Sequence, residues 1–310
     1  MMNEERGAKG EERTLPRDGI RDARRSPRSS LFALRSTLGW TRTSYAFFGA
    51  FCLLAFLIGY VWWPLLSEYL ATFNPNYPWY VQFDWLLLGD FAFMTLLIMA
   101  RPDLRSDSRI VLVGLVGGLV IEAWGTQTHL WNYYTAERPP LWIVPAWPIA
   151  SLAIERMVRI SKGDEREAKS DIAAAVALRP SPLALRVWAI AYWVIFPAFL
   201  ALMVWFVAPT FDKSLTWAAL AASALIVVTP TDHRRAVLTF ACGTGLGYFL
   251  ELWGTTRECW TYYTFETPPV FAVLAHGLAA VAFWRAGLLL GWLWESVAVG
   301  HRMRSPERHS

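Results

Sequence analysis

The chain is poor in the residues that metal and redox chemistry draw on. Its 310 residues include three cysteines and five histidines. Cys52, Cys242 and Cys259 are far apart and form no CxxC pair, which excludes a disulfide framework and a cysteine-based metal site. HExxH and histidine clusters are absent, and with them the ligand sets of metalloproteases and non-haem iron desaturases. Rossmann and P-loop signatures are absent too, because Gly243–Gly247 is too short and sits in an apolar stretch. No metal and no cofactor is therefore expected. A secretory signal is also lacking. The basic leader is too long, and the first apolar run has no small-residue cleavage site, so that run reads as a retained anchor helix.

Apolar residues dominate what remains. The chain is 55% hydrophobic, has 18 tryptophans and a mean hydropathy of +0.30, a composition suited to a bilayer. Eight apolar runs stand out, at about 46–66, 83–100, 110–124, 141–154, 187–208, 215–228, 236–253 and 270–299. A span needs ~20 residues, so the first and fifth qualify alone, and the third, fourth and sixth need polar flanks or neighbouring helices to complete them. Of 29 lysines and arginines, 25 fall in the first 43 residues, the segments 101–109, 156–186 and 230–235, and the tail after 300. All of these lie on one side of an eight-span topology. The positive-inside rule then predicts a multi-pass inner-membrane protein with both termini cytoplasmic. The same bias explains the pI of about 9.0 without nucleic acid as a partner.

The sequence also repeats itself. Residues 118–140 align without a gap on 247–269, offset by 129, with twelve of 23 positions identical. Shared residues include Glu122/Glu251, Trp124/Trp253, Gly125/Gly254, Thr126/Thr255, Trp131/Trp260, Tyr133-Tyr134/Tyr262-Tyr263 and the double prolines. The expected fold is all-α, with about eight transmembrane helices in two parallel four-helix repeats about an axis along the membrane normal. The domain boundaries are a disordered basic tail 1–43, repeats 44–157 and 187–299, a cytoplasmic linker 158–186 with a short surface helix at Asp171–Leu178, and a tail 300–310. An extra outer segment, Ser67–Gln82, breaks the symmetry and reads as a lid. Glycines 114, 117 and 118, and 243, 245 and 247, predict that the third and seventh helices pack closely as a central pair.

The candidate site is built from ionisable groups at one depth. Glu122 and Glu251 stand one turn before glycines expected to end their helices. Asp90 and His276 fall at a similar depth, so the four are expected to converge on a cavity in the outer half of the bilayer as catalytic groups. Glu122 and Glu251 have an equally simple alternative as braces of the Trp-Gly-Thr turn. Asp90 and His276 break the repeat, with Ala219 and Trp147 at the matching positions, and are the better candidates for a specific role. Trp124, Trp131, Tyr133, Tyr134, Trp253, Trp260, Tyr262 and Tyr263 are candidate substrate contacts, the tyrosines being equally explained as an interfacial belt. Arg156 and Arg285 read as snorkelling cations. Asp103 and Asp107 read as a solvated turn, not the magnesium site of a prenyltransferase.

Glu122, Gly125, Thr126, Thr128, Tyr133, Tyr134 and Pro145, with Glu251, Gly254, Trp260, Tyr262 and Pro269, resemble the integral-membrane carotenoid hydratases and carotenoid-cyclase-like membrane proteins. The Asp-Pro, Gly-Val-Pro-x-x-Asn and Pro-x-Glu-Glu patterns of those families are missing here. The resemblance implies a polyene or polyisoprenoid lipid substrate, protonated at a double bond by a carboxylic acid, with the cation held against aromatic faces. A transporter and a non-catalytic pigment-binding subunit of a membrane complex are the alternatives, and a homo-oligomer is compatible with each.

Overall fold

A computed structural model describes residues 39–162 and 181–304, with side chains omitted for 295 and 297–304. The expected helix at Asp171–Leu178 and nearly all of the basic tail lie outside the described residues. The first described stretch forms α1 (Arg42–Val61), α2 (Trp63–Ala71), a 3₁₀ turn Trp79–Val81, α3 (Trp85–Met99), α4 (Leu104–Gln127), β1 (Trp131–Tyr133) and α5 (Ala146–Ser161). The second forms α6 (Pro182–Val207), a 3₁₀ turn Ala208–Thr210, α7 (Ser214–Val228), α8 (His233–Thr256), β2 (Trp260–Tyr262) and α9 (Val270–Arg304).

Local chemistry sets the helix boundaries. Asp84, Asp103, Ser181 and Asp232 cap α3, α4, α6 and α8 by accepting backbone N–H groups of the first turn. Between α1 and α2 the chain breaks at Trp62. Pro64 has no N–H to continue the ladder and starts the next helix instead.

Five helices are long and apolar enough to cross a membrane: Arg42–Val61, Leu104–Gln127, Pro182–Thr210, His233–Thr256 and Val270–Trp294. Helices α3 and α7 are apolar but have 15 residues each, and α5 has 16. At 1.5 Å per residue, each is about 23 Å long against a hydrocarbon core of about 30 Å. Large apolar side chains point outward along the bundle; Leu53 is 71% exposed, Phe56 75% and Trp205 67%. That surface belongs in lipid.

The bundle centre differs from the expected central pair. Helix α4 packs on α5 and α9, and α8 packs on α9 and α5, with no comparable contact between α4 and α8 themselves. The glycine stripes face these partners. A Cβ on Gly114 would meet Pro148 of α5 at 2.9 Å, and one on Gly243 would meet the His276 carbonyl of α9 at 2.8 Å. Gly117 abuts Phe283 of α9. The small residues therefore seat the neighbouring shorter or later helix, not the other glycine helix.

At one end of the bundle β1 and β2 form an antiparallel ribbon. Trp131 lies opposite Tyr262, Asn132 opposite Thr261 and Tyr133 opposite Trp260. Tyr134 N–H donates to the Cys259 carbonyl and Tyr263 N–H to the Leu130 carbonyl, which lengthens the ribbon symmetrically. An all-helical reading misses this element. Three-residue strands with bulky aromatic residues are indistinguishable from loop in a single sequence.

The opposite end holds buried charge. Arg156 donates to both carboxylate oxygens of Asp107 at 3.0 and 2.7 Å and to the Ala100 carbonyl at 2.9 Å. Asp107 is fully buried and Arg156 nearly so. This corrects two expectations. Asp107 is not in a solvated turn, and Arg156 does not snorkel, because the end of α3 and the start of α4 close around its guanidinium. Arg285, by contrast, donates to the Ile226 carbonyl and to Thr229 at the end of α7. Arg235 of α8 donates to Glu155 of α5 at 2.9 and 3.1 Å.

Candidate functional site

The site is built from the ends of α4 and α8 at the ribbon end. Glu122 is buried and both its oxygens are occupied. Trp131 Nε1 donates to Oε2 at 3.2 Å; Tyr133 Oη and Trp147 Nε1 donate to Oε1 at 3.0 Å each. Glu251 is held in the same way. Trp260 Nε1 donates to Oε2 at 2.8 Å, Tyr262 Oη donates to Oε1 at 2.9 Å, and His276 Nε2 lies 2.9 Å from Oε1. The Trp-x-Tyr strands exist in this conformation because alternate residues of a strand point to one face, which brings both donors onto one carboxylate.

The recurring spacing Glu-x-x-Gly-Thr also has a geometric cause, and it differs from the expected one. The glycines do not end their helices. Gly125 and Gly254 lie against the rings of Trp131 and Trp260, so that any Cβ would occupy the ring position. Helix termination falls further on, at His129 and Glu258, which adopt left-handed φ of 62° and 56°. Thr126 and Thr255 donate back to the carbonyls of Glu122 and Glu251 at 2.6 Å. The ribbon can then fold back over the last turn of each helix.

Trp147 and His276 meet. Their rings stack at 5.5 Å with an interplanar angle of 17°. Gly118 backs onto Trp147 and Gly247 onto His276. The two carboxylate sites are thus neighbours joined through a tryptophan–histidine stack.

A cavity of about 1040 Å³ opens beside them. Asp90, Glu122, Glu251 and His276 all border it, together with Trp124, Trp131, Tyr133, Trp253, Trp260 and Tyr262. Tyr134 and Tyr263 do not. Their hydroxyls donate to the Val61 and Phe206 carbonyls and tie the ribbon to the ends of α1 and α6. Trp253 borders the cavity, but its indole is committed to Asp84 at 3.0 Å while its ring stacks on Trp62. Asp90 is buried on α3, and its Oδ2 has no hydrogen-bond partner. Two indole N–H groups on the wall, those of Trp62 and Trp124, are also without partners.

Sequence reasoning missed Asp84. It caps α3, accepts from Trp253, and forms an ion pair with Arg257 at 3.0 Å across the cavity mouth. An acidic residue just before an apolar run signals a cap but not this second use. The segment between α1 and α3 borders the same mouth through Tyr69 and Thr72 and is tied by the Tyr69 hydroxyl to the Gln82 carbonyl. In that rim Cys259 is buried, which pushes its thiol up to about 12. Among the described residues no group of three metal-ligating side chains comes together.

Comparison with family models, with curated proteins and with solved structures found no match.

Proposed function

We propose that this chain is a membrane enzyme that binds a polyene or polyisoprenoid lipid in the 1040 Å³ cavity and protonates one of its double bonds. The supporting observation is a buried carboxyl oxygen without a partner, Asp90 Oδ2, on an aromatic, apolar wall that also carries the Glu251–His276 pair. The volume lies at the top of the range for small-molecule pockets, roughly 300–1,000 Å³.

The hydrogen bonding supports a division of roles. Glu122 accepts from three donors, and Glu251 accepts from two and pairs with His276, so every oxygen of both is engaged. Asp90 has one that is not. Its O–H bond breaks as a C–H bond forms at one alkene carbon, and the cation left on the other carbon faces the rings of Trp62, Trp124 and Trp253. Either water adds to the cation and gives up a proton, the overall change being alkene plus water to alcohol, or an internal double bond attacks and a neighbouring C–H loses its proton, giving a cyclic isomer. His276, held on Glu251 through Nε2, accepts that proton on its other ring nitrogen and the proton returns to Asp90. The likeness of the Glu122 and Glu251 segments to carotenoid hydratases and carotenoid-cyclase-like proteins points to the same substrate class.

The fold proposed for this enzyme is a duplication of two four-helix halves, 44–157 and 187–299, with eight crossings. Asn132 faces Thr261 and Trp147 stacks on His276, and each pair is separated by the 129-residue offset of the repeat. Two such self-matching contacts support a local two-fold axis running down the bundle. Upstream of α3 the matching carbonyls are Val61 and Phe206, 145 apart, which assigns the sixteen extra residues of the first half to the stretch between α1 and Asp84. The positive-inside bias puts both termini in the cytoplasm of an inner membrane and the ribbon outside.

The test is lipid analysis of cells expressing the full chain. Asp90→Asn is expected to lower product about 100-fold or more, in the range of a lost general acid. Glu122→Gln is expected to retain product. Undiminished product from Asp90→Asn would overturn the reading.

A further inference from the structure

The cavity's uncommitted polar atoms have a definite character. Among the described residues that line it, those buried without partners are one carboxyl oxygen, Asp90 Oδ2, and two indole donors, Trp62 Nε1 and Trp124 Nε1. Every other charged group is either engaged or acidic. Arg257 is held by Asp84 at 3.0 Å and by Thr256 at 3.2 Å, and His276 is held by Glu251. Glu68 and Glu258 stand exposed at the rim, and no lysine lines the cavity.

An anionic headgroup entering this space would find no unpaired cation. It would meet carboxylates in a low-dielectric surround, where like charges repel strongly and charge burial is costly. A hydroxyl meets a different situation. It both donates and accepts, and the free atoms are an oxygen and N–H groups. Leaving a buried polar group unpaired is costly, so a ligand that satisfies one is selected over its deoxy counterpart.

We infer that the cavity selects a lipid with a hydroxyl end over the same lipid ending in phosphate or carboxylate, and that Asp90 Oδ2 hydrogen-bonds that hydroxyl while the other oxygen of the same carboxyl carries the proton for the double bond. This rests on the proposed polyene chamber but narrows its ligand. Diphosphate-bearing isoprenoids are excluded by the same charge pattern.

The experiment uses the purified full chain in a neutral detergent and follows quenching of tryptophan emission by three probes with one chromophore: retinol, retinyl phosphate and the hydrocarbon lacking the oxygen. Retinol is expected to bind at least tenfold more tightly than the phosphate and several-fold more tightly than the hydrocarbon. Asp90→Leu is expected to erase the advantage over the hydrocarbon. Asp90→Asn, which keeps an oxygen, is expected to retain most of it and guards against a folding defect in the leucine variant. Equal binding of retinol and retinyl phosphate, or a retinol advantage unchanged in Asp90→Leu, would overturn the inference while saturable hydrocarbon binding left the polyene chamber standing. If none of the three binds, both fall together.

Discussion

Glu122 and Glu251 sit in almost the same cage, yet their neighbourhoods have diverged. Each carboxylate takes a tryptophan and a tyrosine from its own strand. The third partner is Trp147 for one and His276 for the other. Around this common cage the positions 129 residues on from Asp90, Asp84 and Asp107 hold Ala219, Lys213 and Ala236. The packing diverges as well. Helix α6 lies against α8 and α9, filled in by Phe196, Phe199 and Phe206. Helix α1 makes its main contacts with α3 and has no comparable packing on α4 or α5. What both sites share is one set of hydrogen bonds, and under the proposed function the chemistry is sought where they differ.

Several substitutions probe that contrast. The largest effect is expected from the shared part. Glu122→Ala and Glu251→Ala each strand three buried or part-buried hydrogen-bonding partners, and each is expected to cost about 4 kcal/mol in stability. Thermal melting in detergent checks this, and a gap much larger than 1 kcal/mol between them would break the equivalence. Asp107→Ala copies the second half's Ala236 but leaves Arg156 buried without its partner, at an expected cost of about 3 kcal/mol. Adding Arg156→Leu is expected to restore most of that stability. Next come the glycines beneath the indoles. Gly125→Ala and Gly254→Ala are each expected to cost about 2 kcal/mol by displacing Trp131 or Trp260, whereas Gly245→Ala, which meets nothing within 4 Å, is expected to cost nothing. The smallest effect concerns the ribbon. Buried, with its thiol pushed up to about 12, Cys259 is expected to resist maleimide at pH 8 until the protein is unfolded, as read by mass spectrometry.

The helical segments were legible because long apolar runs leave few alternatives, but their ends were not, since the run 141–154 forms Ala146–Ser161 and the run 46–66 breaks after Val61. The gathering of Asp90, Glu122, Glu251 and His276 around one cavity was legible from depth alone, since rise per residue converts sequence distance from a helix end into position. Other features were not. The Asp107–Arg156 pair joins residues 49 apart on different helices, and neither residue has a local signal distinguishing an ion pair from a solvated charge. The roles of Gly125 and Gly254 depend on where an indole six residues downstream folds back, which no helix rule supplies. Tyr134 and Tyr263 read as interfacial belt residues or substrate contacts, but it is their hydroxyls, reaching carbonyls of distant helices, that fix them.

The most direct test removes the differences and keeps the cage. Asp90→Ala with His276→Trp gives both sites the surroundings of a bare brace. The full chain carrying both changes is expected to melt within a few degrees of the unaltered protein and to form no detectable lipid product in cells. A chain so altered that still turned over its lipid at the unaltered rate would contradict the account, because the working groups would then have to lie in what the two halves share.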